Sequence, residues 1–267
     1  LSWDGRLVDD DVLADLVSDV ARVEPILDPD LGPPSYFEIL TASAFKWFAD
    51  LAVDVAVVEV GLLGRFDATN AADGQVAVIT NVALDHTDGG PGWRSAVAEE
   101  KAGIVKPGAL LVLGETDPEL GPVFAASGAG EVWQRDADFG CTDNRLALGG
   151  RLIDVRTPGT SYDQLFLSLH GAHQGDNAAT ALAAAEGFLG RPLEHDLVAE
   201  ALAGVTVPGR FEVVGRTPLV VLDGAHNPHG AASLAATLAE GFASTGRRHV
   251  VIGLLEGRDP IEMLRAL

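Results

Sequence analysis

Residues 54–70, DVAVVEVGLLGRFDATN, decide how the rest of the chain is read. Asp54 to Val60 is a short, nearly continuous apolar run rich in β-branched residues, the composition of a strand buried on both faces in a parallel sheet. Glu59 interrupts it and is predicted to stand at the strand's C-terminal end. Open α/β sheets place their ligands there, and an uncompensated carboxylate is costly there. A metal ion, a cationic substrate group or a paired arginine offsets that cost. Gly61 and Gly64 permit a tight turn carrying Arg65, Asp67 and Asn70. The alternative reading is a surface turn with a local Arg–Asp pair, since strand-end carboxylates are common and not diagnostic.

Composition sets the class. At 267 residues the chain has room for one domain and part of another, and 47% apolar against 21% charged residues is a globular balance. The formal charge of −21 comes from 39 acidic and 18 basic residues, which excludes a general nucleic-acid surface and suits a salt-rich cytoplasm. Apolar stretches are too short and too often interrupted by charge to span a bilayer, and the N-terminus LSWDGRLVDDD lacks the basic region of a signal peptide. The chain therefore reads as soluble and cytoplasmic, with no membrane partner. One cysteine, Cys141, gives neither a disulfide framework nor a thiolate cluster, and reads as a small buried hydrophobe.

Residues 9–24 place apolar side chains at 12, 13, 16, 17, 20 and 23, one face of a covering helix. Ser35 and Glu38 form a capping box opening a second helix, SYFEILTASAFKWFADLA, on which Lys46 reads as a surface residue. Val76 to Thr80 is a second buried strand, followed by NVALDHTD, which puts Asp85 and His86 at a strand end like that of Glu59. A carboxylate and an imidazole from two strand ends suit a hard metal, because they leave room for phosphate oxygens and water. WRSAVAEEKAGIVKPG is a helix stopping near Gly103 to Pro107, with Lys101 at its C-terminal end beside Glu99 and Glu100.

Strand, helix and strand follow in ALLVLGE, DPELGPVFAASG and EVWQRD, then antiparallel hairpins between Leu146 and Leu169. HQGDNAATALAAAEGFLG is an alanine-rich helix with His173, Gln174 and Asn177 at its N-terminus, a place that favours anions. VPGRFEVVGRTP is predicted to be a domain boundary. After it LVVLDGAH reads as a buried strand ending in a carboxylate, NPHGAASLAATLAEGF as a helix, HVVIGLL as a strand and PIEMLRAL as a helix start. The predicted architecture is α/β with a mostly parallel sheet, residues 1–215 forming one domain and 216–267 the beginning of a second.

EVGLLGRFDATN, LDHT, EKAGIVKPG, HQGDNAATAL, PGRFEVV and LDGAHNPHGA stand in the order and approximate spacing of the folylpolyglutamate and dihydrofolate synthases, a branch of the Mur ligase family, which the chain resembles. The resemblance implies a central ATPase domain and a Rossmann-like C-terminal domain. It implies ATP and Mg2+ as cofactors, dihydropteroate or a folate and L-glutamate as substrates, an acyl phosphate intermediate, and a monomeric complete protein. Position by position, Glu59 and His86 resemble the magnesium ligands, and Lys101 resembles the lysine that CO2 converts to a carbamate able to hold a second magnesium. Asn177, Arg210 and Asp223 resemble ATP contacts; Asp223 and His226 resemble the side that holds the incoming glutamate. Arg210 resembles a group that stabilises the charge on the tetrahedral intermediate. Ser35, Tyr36, Phe37, Glu38 and Phe66 resemble the pterin-binding positions.

The departures are also specific. No GxxxxGK[ST] segment occurs in the 267 residues, the TSPH segment is absent, and Leu63 replaces the second glycine of the usual GLGGR. The expectation is a chain trimmed at both ends and inactive by itself. Two other readings stay open: a catalytically degenerate paralogue that binds folate or nucleotide, and a Mur-type ligase with another acid acceptor.

Overall fold

The computed structural model describes residues 1–28, 30, 32–83, 90–243, 246–254 and 260–267. The chain divides into two compact units, 1–73 and 74–267.

In the first unit two short strands, β1 (Ser2–Trp3) and β2 (Arg6–Leu7), pair antiparallel ahead of α1 (Asp10–Val23), which packs on α2 (Tyr36–Leu51). The Ser35 hydroxyl accepts the Glu38 N–H at 3.2 Å and the Glu38 carboxylate accepts the Ser35 N–H at 2.6 Å, so the capping box forms as predicted. Those bonds hold the Glu38 carboxyl below the usual range.

The strand expected over 54–60 does not form: the segment is unpaired among the described residues, with Val57 92% exposed. A strand takes its hydrogen bonds from neighbouring strands. An apolar run records only a preference for burial between them.

The second unit holds a parallel sheet in the order β3 (Val76–Ile79), β4 (Leu110–Leu113), β5 (Glu131–Gln134), with α3 (Trp93–Ala102) and α4 (Gly121–Ala125) in the connections. An antiparallel sheet of β6 (Gly140–Ala147), β7 (Gly150–Arg156) and β8 (Ser161–Leu167) follows, beginning six residues earlier than the hairpins read from the sequence. Helix α5 (His173–Leu189) packs on β3 and β4 of one sheet and on β6 and β7 of the other. Its alanines make this possible: Ala178, Ala179 and Ala183 sit in one core with Val112, Phe139, Ile153, Val155, Leu165 and Leu167. Gly187 lies against the Leu110 side chain, where a Cβ would collide. The Tyr162 hydroxyl donates to the buried Glu186 carboxylate of α5, and burial and that bond push Tyr162 up to about 12.

Helix α6 (His195–Gly204) covers β8. The predicted boundary segment contains β9 (Glu212–Arg216), which forms a hairpin with β10 (Leu219–Leu222). A strand forms at LVVL as expected, but its expected burial is corrected: Leu219, Val220 and Leu222 are exposed. Two alternating runs separated only by Thr217-Pro218 pair with each other, because the nearest complementary edge is the local one. Helices α7 (Pro228–Gly241) and α8 (Pro260–Ala266) pack together and bury Met263. Among the described residues, 249–254 form no strand, and Val251 is 99% exposed, a third correction with the same cause as that at 54–60.

Candidate nucleotide and ligase site

The best-defined constellation lies where the loop before β9 meets the loop after β10. The Asp223 carboxylate accepts the backbone N–H of Phe211 and that of Ala225, each at 2.8 Å, and the Gly224 N–H donates to the Gly209 carbonyl at 2.6 Å. PGRF and DGAH are thereby bolted side by side. Gly224 has no Cβ, and the Arg210 guanidinium occupies the place one would take. His226 Nδ1 meets the Gly224 carbonyl at 2.9 Å, and the Asn227 side chain then caps α7 by accepting the Gly230 N–H at 2.8 Å. Arg210, Asp223 and His226, three positions singled out in the sequence, stand together on an exposed surface.

The N-terminus of α5 belongs to the same neighbourhood. Burial holds the His173 imidazole below its usual pKa; the Asp223 carboxylate works the other way, and His229 and Arg151 add to the lowering. His170 packs edge-on against Phe211 and Phe242, with centroids 5.4 and 5.0 Å away. Asn177 is exposed on the next turn and donates to the Gln174 carbonyl oxygen at 3.0 Å. Arg135 ties the end of the parallel sheet to this helix: its Nε donates to the Gly114 carbonyl at 2.9 Å and its Nη1 pairs with Asp176.

His86, with Asp85, lies outside the described residues. The stem leading to them is well built. Glu115 Oε2 accepts the Val82 N–H at 2.8 Å, its Oε1 accepts from Thr116 and Asp117, and Arg94 pairs with Glu115 and Asp117. Lys101 is half-buried in the last turn of α3.

In the first unit Glu59 is exposed. The far end of the Phe37 ring lies against Gly61, where a Cβ would come within 2.5 Å of Phe37 Cζ. Tyr36 and Phe66 are 78% and 87% exposed. Asp67 organises the turn: burial would raise its carboxyl, but bonds from the Thr69 side chain and backbone and from Leu62 and Gly61 outweigh it and leave the pKa lowered. Leu63 has φ 57°, the left-handed region, which explains in physical terms why a glycine suits that position. Among the described residues, no group of three or more His, Cys, Asp or Glu side chains is placed to hold a metal ion. None of the described helices is long and apolar enough to cross a membrane.

Arg151 was missed from sequence. It is 1% exposed, and its guanidinium binds Asn144 and forks onto the Glu240 carboxylate at 2.7 and 3.0 Å. The available signal was parity, since Arg151 shares the β7 face of Ile153 and Val155 and so points an arginine at the core.

Residues 209–266 match the family model described as Mur ligase, glutamate ligase domain. The chain is 42% identical over 221 residues to a dihydrofolate synthase/folylpolyglutamate synthase of Mycobacterium tuberculosis, covering 78% of this chain and 45% of that protein. It is 34% identical over 275 residues to the protein of the same name from Bacillus subtilis, covering 100% of this chain and 64% of the relative. The fold superposes on the crystal structure of Mycobacterium tuberculosis folylpolyglutamate synthase complexed with ADP and AMPPCP with a TM-score of 0.86 and 39% identity, over 91% of this chain and 57% of that one. The chain thus spans about half the length of the curated relatives it matches. The fold is that of the Mur-type ligases. Within that class the chain is similar over most of its own length to the folylpolyglutamate synthases and dihydrofolate synthases.

Proposed function

We propose that the chain serves an ATP-dependent ligase that joins L-glutamate to dihydropteroate, to a folate, or to both, in the cytoplasm. The observation that carries this reading is the Asp223 bolt, which sets Arg210 and His226 side by side on one surface. A guanidinium beside backbone donors suits phosphate oxygens, whose transfer depends on positioning and charge stabilisation. In this reading Asn177, Arg210 and Asp223 hold ATP, and Asp223 and His226 face the incoming glutamate. Arg210 also steadies the negative charge that develops as the amine attacks the activated carboxylate. Tyr36, Phe37 and Phe66 are exposed aromatic side chains and, with Ser35 and Glu38, are the groups that would stack on and bind a pterin ring.

Glu59, His86 and Lys101 are the proposed magnesium ligands, Lys101 as its carbamate. The exposed carboxylate of Glu59 fits a hard cation that keeps several waters. Mg2+, when bound, neutralises charge on the phosphates. We further propose that 1–215 act as the central ATP-binding part and 216–267 as the start of the glutamate-ligase domain, a reading supported by the family match that begins at residue 209.

Calorimetric titration of the chain with AMPPCP and Mg2+ tests the assignment. Binding is expected, weakened about tenfold or more in Arg210→Ala, the loss typical of a charged phosphate contact. Unchanged affinity in that variant overturns the nucleotide role. Glutamate-dependent ADP release with dihydropteroate and with tetrahydrofolate then assigns the acceptor.

A further inference from the structure

We propose that Arg151 is a positioning residue for the nucleotide and glutamate loops, acting through Asn144 on one side and Glu240 on the other. The proposal rests on the ligase reading of the Arg210–Asp223–His226 surface. Arg151 lies outside all six motifs that carry the family resemblance, in the middle of the antiparallel sheet.

The contacts form a continuous path. On one side, Arg151 Nε binds the Asn144 side-chain oxygen and its Nη2 reaches the Asn144 carbonyl at 3.3 Å. Asn144 Nδ2 in turn donates to the Ala172 carbonyl at 2.8 Å, the residue that opens α5. Gly175 fits against the same amide and against Cys141 Sγ, with no space for a Cβ. The start of α5, with His173 and Asn177, is therefore registered on β6 through a side chain that Arg151 orients.

On the other side, Arg151 grips Glu240 in the last turn of α7. A carboxylate at a helix C-terminus opposes the helix dipole, so Glu240 is poorly placed for the helix alone and well placed for the arginine. Immediately beyond it Phe242 packs on His170 and Phe211, and one turn before it Thr237 fills the space above Gly171. Fixing this end of α7 fixes the helix whose other end begins at His226 and Asn227.

A buried arginine with one partner removed is left with an uncompensated charge. The fork accordingly holds one geometry, in which the N-termini of α5 and α7 face the same surface. That geometry sets how Asn177 stands relative to Arg210 and His226, though Arg151 itself touches no substrate.

The test uses the 267-residue chain and the variants Glu240→Gln and Arg151→Lys. Glu240→Gln removes the charge but keeps an acceptor oxygen of the same reach against the guanidinium, so it is the milder of the two variants, and circular dichroism establishes that each is folded before exchange is read. Amide hydrogen exchange is followed in 168–177 and 223–230, with 110–113 of β4 as the internal reference, alongside AMPPCP–Mg2+ affinity. Exchange is expected to rise about fivefold or more in the two loop segments and to stay unchanged in β4, as local opening would produce. The nucleotide Kd is expected to rise about tenfold, a change within reach of one misplaced contact. A uniform rise in exchange across all segments, or wild-type exchange and wild-type Kd in folded Glu240→Gln, overturns the positioning role. A wild-type chain that binds no nucleotide overturns the functional reading instead, and the exchange pattern alone then decides for or against Arg151.

Discussion

Asp223 accepts the backbone N–H of Phe211 at 2.8 Å across two loops that are twelve residues apart in sequence, while its second oxygen takes the Ala225 N–H at the same distance. Phe211 sits at φ 46° and is 4% exposed, a conformation a bulky residue adopts only when its surroundings impose it. The carboxylate and the Phe211, His170 and Phe242 rings supply those surroundings, and the result is the fixed direction in which Arg210 leaves the loop.

Asp223→Asn is therefore expected to disturb geometry before charge. One of the two backbone N–H groups would face the amide nitrogen, donor against donor. A stability loss of about 1 kcal/mol is expected, with a larger proportional loss of nucleotide affinity. Thermal unfolding and calorimetry on the same protein separate the two, and an unchanged affinity would sink the idea that Asp223 orients the site.

Gly175→Ala places a methyl against the Asn144 amide and within 2.8 Å of Cys141 Sγ. Alanine favours helix, so propensity alone predicts a gain. Overpacking opposes it, and a net loss of about 2 kcal/mol is expected. A denaturant midpoint at or above wild type would show that β6 yields to the methyl without cost.

Leu63 at φ 57° gives a comparison independent of the other unit. Leu63→Gly relieves the left-handed strain while Leu63→Ile, β-branched, increases it. The glycine variant is expected to be the more stable by about 1–2 kcal/mol. Equal midpoints for the two would mean that side-chain packing and not the backbone sets this turn.

Acidification weakens the His170 neighbourhood. Burial first, and the charge of Arg216 second, hold its imidazole below the ordinary value of 6.5. The unfolded chain then binds the proton more readily than the folded one, so the associated stability is present above pH 6.5 and is lost as pH falls below it. His173 is shifted in the same direction. The melting temperature should fall from pH 7.5 to 5.5, and His170→Phe, which keeps a ring against Phe211 and Phe242, should flatten part of that slope. An identical slope in the variant would assign the effect elsewhere.

Much of this molecule was legible in the sequence because its information is local. The Ser35–Glu38 cap, the α3 and α5 helices, the β3–β4–β5 run and the hairpins of β6 to β8 are written in propensity, periodicity and turn chemistry, which act within a few residues. The ordered motifs likewise singled out Arg210, Asp223 and His226, which the fold brings side by side. Tertiary structure alone decided the rest. Asp54 to Val60 has the composition of a buried strand yet remains unpaired among the described residues, and Leu219 to Leu222, read as a buried strand, pairs only with β9 in a hairpin, because pairing depends on which edge is within reach. Arg151 looked like one more basic residue in an alternating strand. Only the fold, by bringing Asn144 and Glu240 to a charge removed from water, made it the link between two helices, and no local rule encodes a partner 89 residues away.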